Sequence, residues 1–256
     1  MSKYIKWLGA GLGFTLGGPI GAILGYAVGT AFDGAAGSIF EETKNSRKQQ
    51  PYKETQRPKK RVHATPADFE VSLLILASVV IKADGKIDPR ELDYVRMHFV
   101  KLYGKDKANS VFKLFNGIVK KKISTRQVAM QIREHMSHAS RLQLIHFLFG
   151  IAKADGNITP DEEEEIQKIA NYFYINSHDY ISIKAMFINE VDSAYKMLEI
   201  TKEATDDEVK KAYRKMAKKY HPDRLQDIGD AHKEAAKEKF QKVQAAYEKI
   251  KEERGF

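Results

Sequence analysis

From Trp7 to Phe32 the chain carries no charged side chain, and within that run Gly9, Gly13, Gly17, Gly21, Gly25 and Gly29 fall on every fourth position. Such a run is hard to place in a fold surrounded by water, where glycine inside a helix costs about 1 kcal/mol relative to alanine. A hydrocarbon core of about 30 Å accepts roughly 20 apolar residues as a helix. There the backbone must bond to itself, so the helix forms despite its glycines. The run therefore reads as a transmembrane helix (residues 1–34 with its flanks), kinked at Pro19 and flanked by Lys3 and Lys6 before it and by Asp33, Glu41, Glu42, Lys44, Arg47 and Lys48 after it. Two other readings compete. A cleaved signal peptide would have a shorter apolar region followed by a small-residue cleavage site, and a glycine-rich surface segment is the third. In a bilayer the six glycines form a flat face that lets a second helix approach closely, so the expected role of the stripe is homodimerisation.

Residues 35–64 read as a linker. They are polar, broken by Pro51 and Pro58, and basic towards the end at Arg57, Lys59, Lys60 and Arg61. Positive charge after the span slightly exceeds that before it, which leans towards an outer N-terminus and a cytoplasmic remainder. The whole chain, at 256 residues, has a formal charge of +9. That charge is compatible with acidic proteins, anionic lipid or nucleic acid and does not choose among them. With no cysteine, disulfides, thiolate zinc sites and thiol nucleophiles are excluded together.

Residues 65–188 read as helices throughout, with apolar faces marked by Phe69, Leu73, Leu76 and Val80, by Leu92, Val95, Phe99 and Leu102, and by Leu142, Ile145, Phe149 and Ala152. An internal repeat lies among them: KADGKIDPRELDYV (Lys82 to Val95) returns as KADGNITPDEEEEI (Lys153 to Ile166). In each copy a helix should stop at Gly85 or Gly156, in the left-handed position that glycine favours. A new helix should then start with Asp88 or Thr159 as N-cap, Pro89 or Pro160 at its first position, and Glu91 or Glu162 closing a capping box. Thr65-Pro66 with Asp68 has the form of a third such start. Further acids crowd the turns, and a hard-cation site is conceivable, although the spacing is not that of an EF-hand. Turn-forming aspartates on a solvated face are the plainer reading. His135 and His138 are spaced for one helical face and read as surface or packed histidines. The doubled K-A-D-G-x-I-x-P-x-E pattern resembles the TerB family of tellurite-resistance-type domains, over roughly Pro66 to Ile188. That resemblance implies a helical domain and a divalent-cation site at Asp84, Asp88, Asp155 and Glu162, with Thr159 standing where the first copy has its aspartate.

Residues 191–256 are the most informative. Thr205 and Glu208 form another capping box, and Val209, Ala212, Tyr213, Met216, Ala217 and Tyr220 recur at helical spacing. Lys210, Lys211, Arg214, Lys215, Lys218 and Lys219 fall on a separate stripe, so one face packs and the other is strongly positive. Ala236, Phe240, Val243, Tyr247 and Ile250 mark a second amphipathic helix, and the two should form an antiparallel hairpin. Between them stands His221-Pro222-Asp223. Pro222 fixes its own φ and restricts His221 to extended geometry, presenting the imidazole outward. A nucleic-acid-binding stripe would interleave aromatics for base stacking; here Tyr213 and Tyr220 share the apolar face instead. Basic helix, His-Pro-Asp turn and apolar helix together resemble the J domain of DnaJ-type cochaperones. Glu199 departs from that pattern, where many J domains have glycine, at a helix end that need not affect the loop. The resemblance implies docking on a DnaK-type chaperone through His221, Pro222, Asp223, Lys210, Lys211, Arg214, Lys215, Lys218, Lys219 and Arg224, with ATP hydrolysis occurring on the partner.

The order of the three parts resembles the DjlA-type family of membrane-anchored DnaJ-like cochaperones. It implies an all-α protein with a transmembrane helix, a TerB-like domain and a J-domain hairpin, set in the bacterial inner membrane. The implied partners are a DnaK-type chaperone, client proteins and a second copy of the chain, without nucleic acid. No nucleophile–base set or phosphate loop emerges, so no enzyme and no cofactor beyond the conceivable cation is expected. The alternative is a membrane-tethered metal-sensing or scaffold protein acting mainly through the TerB-like domain.

Overall fold

The computed structural model describes residues 66–119, 124–188, 192–225 and 230–256. All regular structure among them is helical: α1 (Pro66–Val80), α2 (Pro89–Tyr103), α3 (Lys105–Val119), α4 (Thr125–His135), α5 (His138–Ala152), α6 (Pro160–Tyr172), α7 (Ser177–Ala185), α8 (Ser193–Met197), α9 (Asp206–Lys219), a 3-10 turn at Pro222–Arg224, and α10 (Asp230–Arg254). The glycine-rich segment, its six stripe glycines and the basic linker lie outside the described residues. Among the described residues no helix is long and apolar enough to cross a membrane.

The first seven helices are arranged around α5. Every residue from Leu142 to Ala152 is buried, where periodicity alone marks one face. The helix is surrounded by α1, α2, α6 and α7, so its Gln143 and His146, which look like outward positions in the sequence, are inside as well. Gly150 is where α2 crosses closest: a Cβ there would overlap the Tyr94 hydroxyl.

The repeated turns have the expected local geometry. Gly85 and Gly156 are left-handed, with φ of 79° and 107°. Asp88 and Thr159 are N-caps, each with a complete capping box closed by Glu91 or Glu162 and a proline at the helix start. In both boxes the closing glutamate is buried, and the two glutamates lie close to one another. Arg90 joins the two turns from outside. It forks onto Asp88, and its Nη1 donates to the Asp155 carbonyl at 3.0 Å. His135 and His138 are split between two helices: His135 closes α4 on the Gln131 carbonyl, and His138 opens α5.

The C-terminal hairpin packs on this bundle, and one apolar cluster runs through both. Its helices are antiparallel: Arg254 at the end of α10 reaches Asp206 at the start of α9, while Phe240 lies beside His221 at the far end. The seam between bundle and hairpin is polar as well as apolar. Ser182 of α7 donates to the Met197 carbonyl at 2.7 Å, and Lys242 of α10 donates to the Met186 carbonyl at 3.2 Å with its ammonium 4.0 Å from the Phe187 ring centre.

Candidate functional site

α9 is set by its ends. The Thr205 amide donates to Glu208 Oε2 at 2.7 Å and the Glu208 amide donates back to Thr205 Oγ1 at 3.3 Å, with acids in the first turn and Lys218 and Lys219 in the last. That order of charge suits the helix dipole. Val209, Ala212, Met216 and Tyr220 are buried, and Tyr213, half-buried, stacks on Tyr247 with ring centres 4.3 Å apart.

The chain leaves α9 through His221, extended at φ −63°, ψ 130°, and Pro222 opens the 3-10 turn. The Asp223 amide donates to His221 Nδ1 at 3.3 Å. An Nδ1 that accepts from the backbone leaves the proton of a neutral imidazole on Nε2. The ring stands edge-on to Phe240, centres 6.0 Å apart. The side chains of His221 and Asp223 are 51% and 86% exposed. Ala217, Lys218, His221, Arg224 and Phe240 line an open groove here: an apolar floor with a cationic rim. Such a surface suits an acidic protein partner bearing an apolar side chain.

The positive stripe is less uniform than the helical spacing implies. Lys211, Arg214, Lys215 and Lys218 are exposed and Lys210 is half-buried, its ammonium 5.0 Å from the Phe256 ring centre. Lys215 donates to Glu199 Oε2 at 2.7 Å. Lys219 does not belong to the exposed stripe. Its side chain is 19% exposed and ion-paired to both Asp179 of α7 and Glu199. It turns inward because two buried carboxylates, one of them on the bundle, converge on it. Glu199, at the end of its helix, is left-handed, with φ of 59°, and its contact with Lys219 brings it within two residues of His221.

Asp179 was not singled out by the sequence. It is the third residue of α7, capped by Asn176, a signal that by itself indicates only a helix start. One carboxylate oxygen lies 2.9 Å from His138 Nε2. Although burial alone would push its pKa up, the hydrogen bond from His138 and the positive charge of Lys219 hold it well below the usual carboxylate range.

The four expected cation ligands do not assemble into a donor set. Asp84 Oδ1 accepts from the Lys86 amide and Asp155 Oδ1 from the Asn157 amide. Asp88 is committed to its cap and to Arg90, which lowers its pKa to about 2. Glu162 is buried in its capping box. Among the described residues no three ligating side chains gather as a metal site would require. Each carboxylate is satisfied by a turn, a cap or a guanidinium.

Comparison with known proteins gives three family matches along the chain: the co-chaperone DjlA transmembrane domain over residues 1–49, the tellurite resistance protein TerB over residues 70–185, and the DnaJ domain over residues 193–254. Among curated relatives, the co-chaperone protein DjlA of Shewanella oneidensis is 48% identical over 67 residues, 25% of this chain and 26% of the relative. A chaperone protein DnaJ of Neisseria meningitidis is 54% identical over 56 residues, and one of Bordetella petrii 51% over 59; each alignment spans 14% of the relative. The matched stretches are thus a minor part of each relative's length. No solved structure matches the chain. The chain thus carries, in order, matches to a DjlA transmembrane domain, a TerB domain and a DnaJ domain, an arrangement that makes it similar to the DjlA co-chaperones.

Proposed function

We propose that this protein is a membrane-anchored cochaperone whose J domain stimulates ATP hydrolysis by a DnaK-type heat-shock chaperone. The observation that carries this reading is the His221-Pro222-Asp223 turn, held in a fixed shape yet open to solvent, beside a groove rimmed by Lys218 and Arg224. Hydrolysis takes place on the partner, and the chain itself performs no catalysis. Lys211, Arg214 and Lys218 steer the encounter with an acidic surface more than they set its affinity, and His221 and Asp223 carry the activating contact. The anchor crosses the bacterial inner membrane once, with the N-terminus outside and both folded domains in the cytoplasm beside the ATP-driven partner and its clients. The glycine stripe joins two copies in the membrane.

The test is His221→Gln in the full chain. The ring is half-exposed, so the fold should survive while stimulation of the chaperone's ATPase disappears; undiminished stimulation would refute the proposal. Protease protection in spheroplasts checks the topology: the J domain should be protected until the membrane is opened. For the stripe, Gly17→Leu with Gly21→Leu should leave the protein in the membrane and lower dimer crosslinking, and dimers that persist unchanged would reduce the segment to a tether.

A further inference from the structure

The two residues immediately before His221 are held by the bundle as well as by the hairpin. The Lys219 ammonium lies between Asp179 of α7 and Glu199, which follows α8. Their side chains are 1% and 5% exposed. Beyond Asp179 stands His138 at the start of α5; beyond Glu199 stands Lys215. Tyr220 is buried against the same helix, its hydroxyl 3.5 Å from Ser182 Oγ, and that serine donates to the Met197 carbonyl. A cation shared by two shielded carboxylates has one favourable place, because moving it strands both charges. The direction in which α9 delivers the His-Pro-Asp turn is therefore fixed from α7.

Glu199 supplies a second, independent observation. At φ 59° it occupies a conformation that suits glycine and that other residues keep only where the surroundings hold them. Nothing about the turn itself requires a side chain there. The glutamate's carboxylate is what the position gains, and that carboxylate is spent on Lys219 and Lys215.

We propose that Asp179 and Glu199 are positioning residues for His221-Pro222-Asp223: by clamping Lys219 between the two domains they set the angle of the turn, so the TerB domain takes part in chaperone activation without touching the chaperone. This rests on the cochaperone reading above. A purely structural clamp would alter activity only through loss of folded protein. A positioning clamp alters the activation step itself.

The experiment uses the full chain in lipid nanodiscs and measures ATP hydrolysis by a DnaK-type chaperone as the nanodisc concentration is raised. Glu199→Gly is the informative variant, because it relieves the left-handed backbone while removing the carboxylate. Because the left-handed strain goes with the carboxylate, its melting temperature should fall by less than that of Lys219→Ala; at a temperature where it is fully folded, its maximal stimulation should fall about three- to tenfold, with the half-saturating concentration changed by less than about twofold. Asp179→Asn should show the same split between maximum and half-saturation, with normal helicity by circular dichroism. Wild-type maximal stimulation by Glu199→Gly and Asp179→Asn, or a loss that only tracks the folded fraction, overturns the positioning role. His221→Gln is run alongside: if it stimulates fully, the cochaperone reading has failed; if it is inactive while the other two match the wild type, the positioning inference alone has failed.

Discussion

Glu91 and Glu162, the third residues of two helices that start alike, meet side chain to side chain beneath their own caps. Two carboxylates shielded together cannot both ionise cheaply. Burial first, and then the hydrogen bond and charge of Glu162, push the Glu91 carboxyl up to about 8. Its folded-state pKa thus lies above the unfolded value of about 4.3. The stabilisation is complete below that unfolded value and is lost as the pH rises through about 8. Glu91→Gln keeps a neutral donor on Glu162 and an acceptor for the cap. Thermal melts should show the variant near the wild type at about pH 5 and clearly above it at about pH 9. Identical pH dependence in the two proteins would refute a shared proton.

Lys239 should show the opposite slope. Its side chain is buried in α10, with the ammonium 5.1 Å from the Tyr220 ring centre, and burial pulls its pKa down to about 7. Its positive field, with that of Lys242, adds to the burial that keeps His146 of α5 well below its usual range. Between about 7 and the ordinary lysine value near 10.4 the unfolded chain binds the extra proton, so stability from this group rises with pH. Lys239→Met retains the stem without the charge. It should raise the melting temperature, by more at about pH 6 than at about pH 9. A uniform gain across that range would mean the ammonium is solvated after all.

Gly150→Ala tests the closest approach of α2 to α5. In an exposed helix this change gains about 1 kcal/mol. Here the new methyl group would overlap the Tyr94 hydroxyl, and the Tyr94 ring is confined by His98 and Phe147. Overpacking of this kind costs about 1–3 kcal/mol, so the net effect expected in chemical denaturation is a loss. A stabilised variant would show that the Tyr94 ring moves aside freely.

What could be read from the sequence was what depends on near neighbours. The capping boxes at Asp88, Thr159 and Thr205 and the left-handed Gly85 and Gly156 involve residues a few positions apart, and they follow from local chemistry. The His-Pro-Asp turn is legible for the same reason. Lys219 was not. Helical spacing places it with Lys215 and Lys218, and only the arrival of Asp179 from another domain turns it inward. Glu199 was recognised as an unusual residue at a helix end, but its contact with Lys219 depends on how α8 lies against α9. The all-round burial of α5 was hidden by Gln143 and His146, polar residues that a one-faced helix would expose. The conceivable cation set, four acids in two turns, reads in the sequence less plainly than solvated turns; that Arg90 reaches from one copy of the repeat to the other shows only in three dimensions.

The division of the stripe yields a last prediction. Lys211, Arg214 and Lys218 are exposed, where charge acts mainly on the rate of encounter and is screened by salt over about 10 Å at 0.1 M. Lys219 is a half-buried member of an ion network whose two carboxylates are buried, where removing the ammonium strands both charges. Triple replacement of Lys211, Arg214 and Lys218 by alanine should therefore slow association with a DnaK-type chaperone and flatten its dependence on ionic strength, while leaving the melting temperature near that of the wild type. Lys219→Ala should do the reverse: a lower melting temperature, with the salt dependence of association retained in the protein that remains folded. Stopped-flow association at several salt concentrations, paired with thermal melts, separates the two classes. If Lys219→Ala instead behaves like its exposed neighbours, losing association rate with no loss of stability, then the Asp179–Lys219–Glu199 pairing does not hold in solution.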